Sequence, residues 1–256
     1  MRIDCAVTLC DRAKFTYPWA PGRDYTAEDL EPILARNRFD GAVATAQLDE
    51  PAETDWLLET AGRHAWLMAV MTRSTNRQAW DRWQRSGQFR GVESPPVALA
   101  AELARRGLLA ALPPAQAIEA LAAAPSLHVV VRAMAGVGFT ATEFAGWARS
   151  LEPLVRTGAM VQVDGLINFI GPGGWLAAKY QPWVQHALAT FGPQRLMYGS
   201  GWPFSMPHAT WKESLACFTQ AMGALGMDDR AAIVGENAAK FYSSGSGVRY
   251  TEGSPG

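Results

Sequence analysis

Eight short apolar runs, of the kind that form buried parallel strands, constrain the fold of this chain more than any other feature. They cover residues 3–9, 41–47, 65–71, 89–93, 107–112, 128–134, 159–165 and 195–200. Each run is almost continuously apolar, whereas a strand with one face in water alternates apolar and polar positions. The pattern therefore predicts strands that are covered on both faces.

Segments with helical spacing separate these runs. Clear examples are residues 26–37, where Thr26 is a predicted N-cap, 53–64, 113–125 and 140–158, where Gly158 is the predicted end. Alternation of strands and helices produces a parallel sheet with right-handed crossovers, and eight units favour a closed barrel. No glycine-rich phosphate fingerprint follows the first run, which argues against a dinucleotide-binding sheet. The predicted fold class is α/β, a TIM-like (β/α)8 barrel with room for distortion.

The length and composition fit one large domain. The chain has 256 residues, of which 48% are hydrophobic, and barrels of this type commonly reach that size as a single unit. We predict a single barrel domain over residues 1–243. Residues 244–256 are polar and rich in glycine, and we expect them to form a flexible tail.

Charge and hydropathy limit the partners and the location. The formal net charge is -1 and no long basic run is present, so the sequence has no electrostatic footprint for nucleic acid or an anionic membrane. We expect a small-molecule substrate, and a homodimer is one possible assembly. The sequence shows no secretory leader and no apolar run long enough to span a membrane, which predicts a cytoplasmic protein.

Two ends of the chain resemble a known family. The last strand and its sequel, RLMYGSGWPF at 195–204 and DDRAAIVGENAAKFY at 228–242, resemble the carboxyl-terminal signature of amidohydrolase-related proteins, the lactonase-like branch of the amidohydrolase superfamily. In that family the strand reads Gly-Ser-Asp-Trp-Pro, and the final helix carries Asn-Ala before an aromatic residue, as Asn237, Ala238 and Tyr242 do here. The opening, residues 3–22, is similar to the family's Ile-Asp-x-His-x-His start. The resemblance implies a barrel with its active site at the carboxyl ends of the strands.

The departures from the family pattern concern the metal site that the resemblance implies. The two histidines of the first strand and the aspartate of the last strand fall on Ala6, Thr8 and Gly201. The family's Arg-His pair on the fourth strand falls on Glu93 and Ser94. A zinc or iron site needs about three or four converging ligands. We therefore predict a degenerate member of the family that has no metal ligands and needs no cofactor.

Other polar residues lie at the predicted strand ends. We expect the catalytic residues to be Glu93 and Asp164 as acids, Arg132 as a clamp for an oxyanion or a carboxylate, and His208. The predicted substrate contacts are Thr8, Cys10, Trp19, Gln47, Ser94, Gln162, Phe169, Ser200, Gly201 and Trp202. The alternative for Glu93 and Arg132 is a purely structural ion pair that fills the place of the lost metal. Cys10 has an alternative too, since a lone cysteine is usually a small buried hydrophobe.

Two functions remain open. The first is a metal-independent enzyme that acts on a small carbonyl-containing molecule by lactone hydrolysis or formation, cyclisation, isomerisation or a C–C lyase step, in a setting such as secondary-metabolite biosynthesis. The second is a catalytically inactive relative that binds a ligand or a partner protein. An open pocket with converging acids favours the enzyme, whereas a packed polar plug favours the binding protein.

Overall fold

The computed structural model describes residues 1–19, 22–167 and 176–243, and eight strands in this part of the chain form one parallel sheet in the order of the sequence. The strands are β1 (Ile3–Val7), β2 (Gly41–Thr45), β3 (Leu67–Thr72), β4 (Phe89–Glu93), β5 (Leu109–Leu112), β6 (Val129–Arg132), β7 (Met160–Asp164) and β8 (Leu196–Gly199). Each lies within or close to one of the eight apolar runs, so the predicted strands are confirmed.

Helices connect the strands. They are α1 (Ala27–Arg36), α2 (Pro51–Arg63), α3 (Arg77–Trp83), α4 (Ala100–Arg106), α5 (Pro114–Ala123), α6 (Ala141–Leu151), α7 (Ala177–Phe191), α8 (Trp211–Met222), α9 (Met227–Ala231) and α10 (Asn237–Ser243). Thr26 caps α1 as predicted. The predicted end of α6 at Gly158 is wrong: the helix stops at Leu151, because Pro153 has no N–H group to continue the hydrogen-bond ladder. Among the described residues, no helix is both long enough and apolar enough to cross a membrane.

The sheet closes into a barrel just beyond β8. The backbone N–H of Thr8 donates to the carbonyl of Trp202 at 2.8 Å, and that of Gly201 donates to the carbonyl of Ala6 at 3.1 Å. Gly199 makes the close approach possible, because a Cβ atom placed on it would lie 2.5 Å from the Cβ of Ala6. The TIM-like barrel predicted from the sequence is therefore confirmed.

The last helix closes the amino-terminal end of the barrel. Ala238, Phe241 and Tyr242 pack into the apolar cluster inside the sheet, which includes Cys5 and Met71. The side chain of Asn237 fixes this helix by donating to the carbonyls of Pro193 and Leu196 at 2.8 and 2.7 Å. Loops surround the opposite, carboxyl-terminal end of the barrel. The predicted tail, 244–256, lies outside the described residues.

Two buried carboxylates fasten loops at the carboxyl-terminal end. Asp4 accepts hydrogen bonds from the backbone N–H of Ser200 at 2.8 Å and from the indole N–H of Trp211 at 2.9 Å. Burial raises the pKa of Asp4 to about 6. Through these contacts β1 holds the segment after β8 and the start of α8 in place.

Glu53 has the corresponding role after β2. One of its oxygens accepts from the backbone N–H groups of Gln47 at 2.8 Å and Leu48 at 2.7 Å, whereas the other is buried without a partner. Burial raises the pKa of Glu53 to about 7. The loop that carries Gln47 is therefore held by an acid whose ionisation is opposed by its surroundings.

Substitution of Gly91 is a test of the close packing between β4 and β5. Its ideal Cβ position lies 2.1 Å from the carbonyl oxygen of Leu109 on the next strand, so Gly91→Ala should lower the free energy of unfolding by at least about 2 kcal/mol. Gly146, within α6, has open space around it, and Gly146→Ala should raise the free energy of unfolding by about 0.5–1 kcal/mol. Urea denaturation measures both. Equal effects of the two substitutions would contradict the predicted contact.

Because the pKa of Glu53 is raised, we expect the free energy of unfolding to fall as the pH rises. Its pKa in the folded chain, about 7, is above the ordinary value of 4.5. The contribution of protonated Glu53 to the free energy of unfolding is therefore fully present below pH 4.5 and is lost as the pH rises towards 7. Asp4 acts in the same direction but only up to about pH 6. Between pH 6 and 7.5 we therefore expect a fall in unfolding free energy of on the order of 1 kcal/mol from Glu53.

Denaturation curves of Glu53→Gln measure this contribution, because the amide oxygen of glutamine still accepts the two backbone hydrogen bonds but no longer titrates. The substitution should flatten the fall between pH 6 and 7.5. Glu59→Gln is the matched control, on the exposed face of the same helix. An unchanged pH profile in Glu53→Gln would show that Glu53 is not the titrating group.

Candidate active site

A cavity of about 80 Å³ opens at the carboxyl-terminal end of the barrel. Strands β1 to β4 and β6 to β8, or the residues that follow them, contribute its lining. The lining residues are Ala6, Val7, Thr8, Thr45, Gln47, Arg73, Glu93, Arg132, Gln162, Asp164, Gly201, Trp202 and Phe204. Parallel strands bring these residues together because their carboxyl ends meet at one edge of the sheet.

Glu93 is the centre of the charged groups. A single oxygen of its carboxylate, Oε1, accepts from Arg73 at 2.7 Å and from Arg132 at 2.7 Å. The Glu93 side chain is only 7% exposed, against 39% for Arg73 and 22% for Arg132. The carboxylate therefore lies beneath the two guanidinium groups and fixes both of them at the cavity.

Asp164 differs from Glu93 in its contacts. Among the described residues, its cationic partner is Arg132, whose Nη2 lies 3.8 Å from Oδ2, beyond the distance of a hydrogen bond. Burial raises the pKa of Asp164, Arg132 lowers it and Glu93 raises it again, so that the net shift is upward. Asp164 therefore lacks the close guanidinium contacts that hold Glu93.

Arg132 carries the compensating charge. Burial lowers its pKa, and the carboxylates of Glu93 and Asp164 raise it by more, so that the net shift is upward and the guanidinium stays charged. Its Nε atom and that of Arg73 are buried and have no acceptor among the described residues. The two guanidinium groups are thus not fully saturated by Glu93.

A second hollow of about 410 Å³ adjoins the cavity. Residues at the ends of β6 and β7 line it, and it shares Arg132, Asp164 and Phe204 with the cavity. The other lining residues are Met134, Ala135, Gly136 and Gly165. Arg132 and Asp164 therefore lie at the boundary, where both can contact one ligand that extends from the hollow into the cavity.

Hydrogen bonds also order the polar wall opposite. The side-chain amide of Gln47 donates to the hydroxyl of Thr8 at 3.0 Å and to the carbonyl of Thr45 at 3.1 Å. Phe204 forms an apolar wall, and Trp19 packs against it with ring centroids 4.7 Å apart. Trp19 thus supports the wall from behind and does not line the cavity.

The structure brings eight of the predicted site residues to the cavity and separates the others from it. Those that line it are Thr8, Gln47, Glu93, Arg132, Gln162, Asp164, Gly201 and Trp202. His208 and Ser94 are exposed and line neither the cavity nor the hollow. Phe169 lies outside the described residues.

Cys10 and Ser200 are buried away from the cavity. Cys10 packs with Tyr17 and Leu48, its thiol is directed to the carbonyl of Arg23, and burial raises its pKa to about 11. That environment disfavours a reactive thiolate. Ser200 is engaged in the loop after β8, where its hydroxyl accepts from the backbone N–H of Trp202 at 3.0 Å.

Five lining residues are not among the predicted catalytic or substrate-contacting residues: Ala6, Val7, Thr45, Arg73 and Phe204. Arg73 directly follows β3, so its position at a strand end was a usable signal. The pairing of Arg73 with Glu93 could not be predicted from the sequence, because the positions of β3 and β4 do not fix the direction of a long side chain. The role of Glu53 was not predicted either, since this residue lies on a helix and its side chain contacts the loop after β2.

The donor atoms at the expected metal positions do not fit a divalent cation. Ala6 and Gly201 have no side-chain ligand atom, and the hydroxyl of Thr8 accepts from Gln47. Glu93 is occupied by two guanidinium groups, whose positive charge would repel a cation. Within residues 1–19, 22–167 and 176–243, no group of three or more His, Cys, Asp or Glu side chains converges on one point.

Comparison with known proteins identifies the family of this chain. A family profile described as Amidohydrolase matches residues 100–243. The L-fucono-1,5-lactonase of Burkholderia ambifaria is 29% identical over 252 residues, which covers 86% of each chain.

Solved structures share the fold. An amidohydrolase from Burkholderia multivorans with bound zinc superposes with a TM-score of 0.81 at 21% identity, over 95% of this chain and 99% of that one. Amidohydrolase 2 from Bifidobacterium longum superposes with a TM-score of 0.71 at 19% identity, over 94% of this chain and 98% of that one. Since the family profile covers more than half of the sequence, the chain belongs to the amidohydrolase family.

Proposed function

We propose that this chain is a metal-independent enzyme that opens a lactone, or a related small cyclic ester, at the carboxyl-terminal end of its barrel. Membership of the amidohydrolase family supports hydrolytic chemistry, and the similarity to a lactonase supports a cyclic ester as the substrate. The lining of the cavity supports a reaction that depends on acids and guanidinium groups.

The position of Asp164 is the observation that carries the proposal. It lies between the cavity and the larger hollow, is 13% exposed, and has no close hydrogen bond to a cation. Its pKa is raised by burial, towards the range in which a carboxyl group can both accept and return a proton. Such an acid is suited to general acid–base catalysis.

The reaction that we assign to this arrangement begins with water. The water oxygen bonds to the carbonyl carbon of the lactone while the carboxylate of Asp164 takes the proton of the water. The bond between that carbon and the ring oxygen then breaks, and Asp164 returns the proton to the ring oxygen. The product is a hydroxy acid, which releases its carboxyl proton to the solvent.

Arg132 is the group that we assign to the developing negative charge. The carbonyl oxygen gains a full charge as water attacks, and a fixed donor in a partly buried site stabilises that charge without reorganisation. Glu93 holds Arg132 and Arg73 through one oxygen, at 2.7 Å each, so we assign it a positioning role. In this scheme the guanidinium groups provide the positive charge that a metal ion would otherwise provide.

A second function is favoured by the small size of the cavity. Its 80 Å³ is below the roughly 300–1,000 Å³ of typical small-molecule sites, because the ion pairs of Glu93 occupy the mouth. In that case the Glu93 network is a structural plug, and the chain is a catalytically inactive relative that holds a ligand in the adjoining hollow.

Turnover of a panel of five- and six-membered sugar lactones, followed with a pH indicator, tests the first function. Asp164→Asn should lower kcat at least about 100-fold with little change in KM, because it removes the group that transfers the proton but keeps the shape of the side chain. Asp228→Asn, an exposed acid on α9, is the matched control and should leave kcat unchanged.

The same panel separates the two functions. Full activity in Asp164→Asn, with an unchanged melting temperature, would contradict the assigned role of Asp164. Saturable binding of a lactone without turnover by the unmodified chain would instead support the binding protein. Arg132→Lys adds a further check: it keeps the charge but loses the planar fork, so an enzyme should lose kcat whereas a plug should lose stability.

A further inference from the structure

We propose a second binding site, on the outer side of the barrel, for a small molecule that carries several phosphate groups. It is a groove of about 470 Å³ between the end of α1 and one face of α8. The lining residues are Arg2, Arg36, Asn37, Arg38, Lys212, Leu215, Ala216, Thr219 and Gln220. It shares no lining residue with the cavity at the barrel mouth or with the adjoining hollow.

The charge of this groove is unusual for the chain. Four of its lining residues are cations and none is a carboxylate, although the whole chain has a formal net charge of -1. Asp40 stands at one edge, where it accepts a hydrogen bond from the backbone N–H of Arg2 at 2.7 Å. One neighbouring carboxylate does not balance four cations, so the groove has a positive potential that attracts anions.

Two of the arginines are held in place by backbone carbonyls. Arg2 donates through Nη1 to the carbonyl of Asn37 at 3.0 Å and lies over the ring of Phe39. Arg36 donates through Nε to the carbonyl of Pro32 at 3.0 Å. A guanidinium group has five N–H donors, so both keep donors for a ligand while their positions are fixed.

The other two cations have no such role in the fold. In the part of the chain that the structure describes, neither Arg38 nor Lys212 makes a side-chain hydrogen bond or an ion pair. Arg38 also has a φ of 58°, in the left-handed region where glycine is the usual residue after a helix. The chain therefore keeps a long cation at a position where the backbone alone favours glycine, which is consistent with a role in binding.

The floor and the cations of the groove indicate the chemistry of its ligand. The groove is largely open to solvent, and Leu215 and Ala216 of α8 provide an apolar floor beside the charges. Guanidinium groups bind phosphate oxygens through two parallel hydrogen bonds, and cations from three separate segments can contact several phosphates at once. These features favour a small polyphosphorylated molecule over a single anion.

Isothermal titration calorimetry with inorganic tripolyphosphate tests this site. We expect one saturable site per chain, and at least about tenfold weaker binding in Arg38→Gly and in Lys212→Gln, since each loses a charge-assisted hydrogen bond. Glycine suits the backbone of residue 38, so Arg38→Gly should fold normally, and its melting temperature checks this. Arg149→Gln is the matched control, an exposed arginine on α6 that should leave binding unchanged.

Three outcomes would overturn the proposal. They are the absence of saturable binding, equal weakening in Arg149→Gln, which would indicate diffuse charge attraction, and binding of polyglutamate without binding of tripolyphosphate, which would indicate an acidic protein partner. Asp164→Asn should not change the titration. The site can therefore fail or succeed independently of the function proposed for the barrel mouth.

Discussion

The charge balance around one carboxylate oxygen is the interaction on which the rest of the barrel mouth depends. Glu93 on β4 accepts from an arginine that follows β3 and from another that ends β6. Without it, Arg73 would lose its ion pair, and Arg132 would keep only the more distant carboxylate of Asp164, 3.8 Å away. The pair of contacts also connects the ends of β3, β4 and β6, and only a small cavity is left beside Asp164.

Small residues on the first and last strands are the second constraint. Gly199 lets β8 approach β1 so closely that its Cβ would collide with Ala6, and Gly201 adopts a φ of 68°, which favours glycine. The positions at which the family resemblance implies metal ligands are thus used here to close the sheet. This is why we attribute the positive charge of the proposed site to Arg73 and Arg132, which stand on other strands.

The sequence predicted the barrel well because its strands are apolar runs, and the order of parallel strands follows from the strand–helix alternation. It also predicted that Glu93, Arg132 and Asp164 meet, since each stands at the carboxyl end of a strand. It was less reliable for residues in loops. His208 lies nine residues after β8 and Cys10 three residues after β1, and the path of the chain over those residues depends on tertiary contacts such as the backbone pairing of Cys10 with Tyr25.

We propose that guanidinium groups take the place of a metal ion at the barrel mouth. Elemental analysis of the purified, untagged protein by inductively coupled plasma mass spectrometry, after dialysis against excess zinc, tests it most directly. We expect zinc, iron and manganese far below one atom per chain. One tightly held divalent metal per chain, lost in Asp164→Asn but kept in Asp228→Asn, would contradict it.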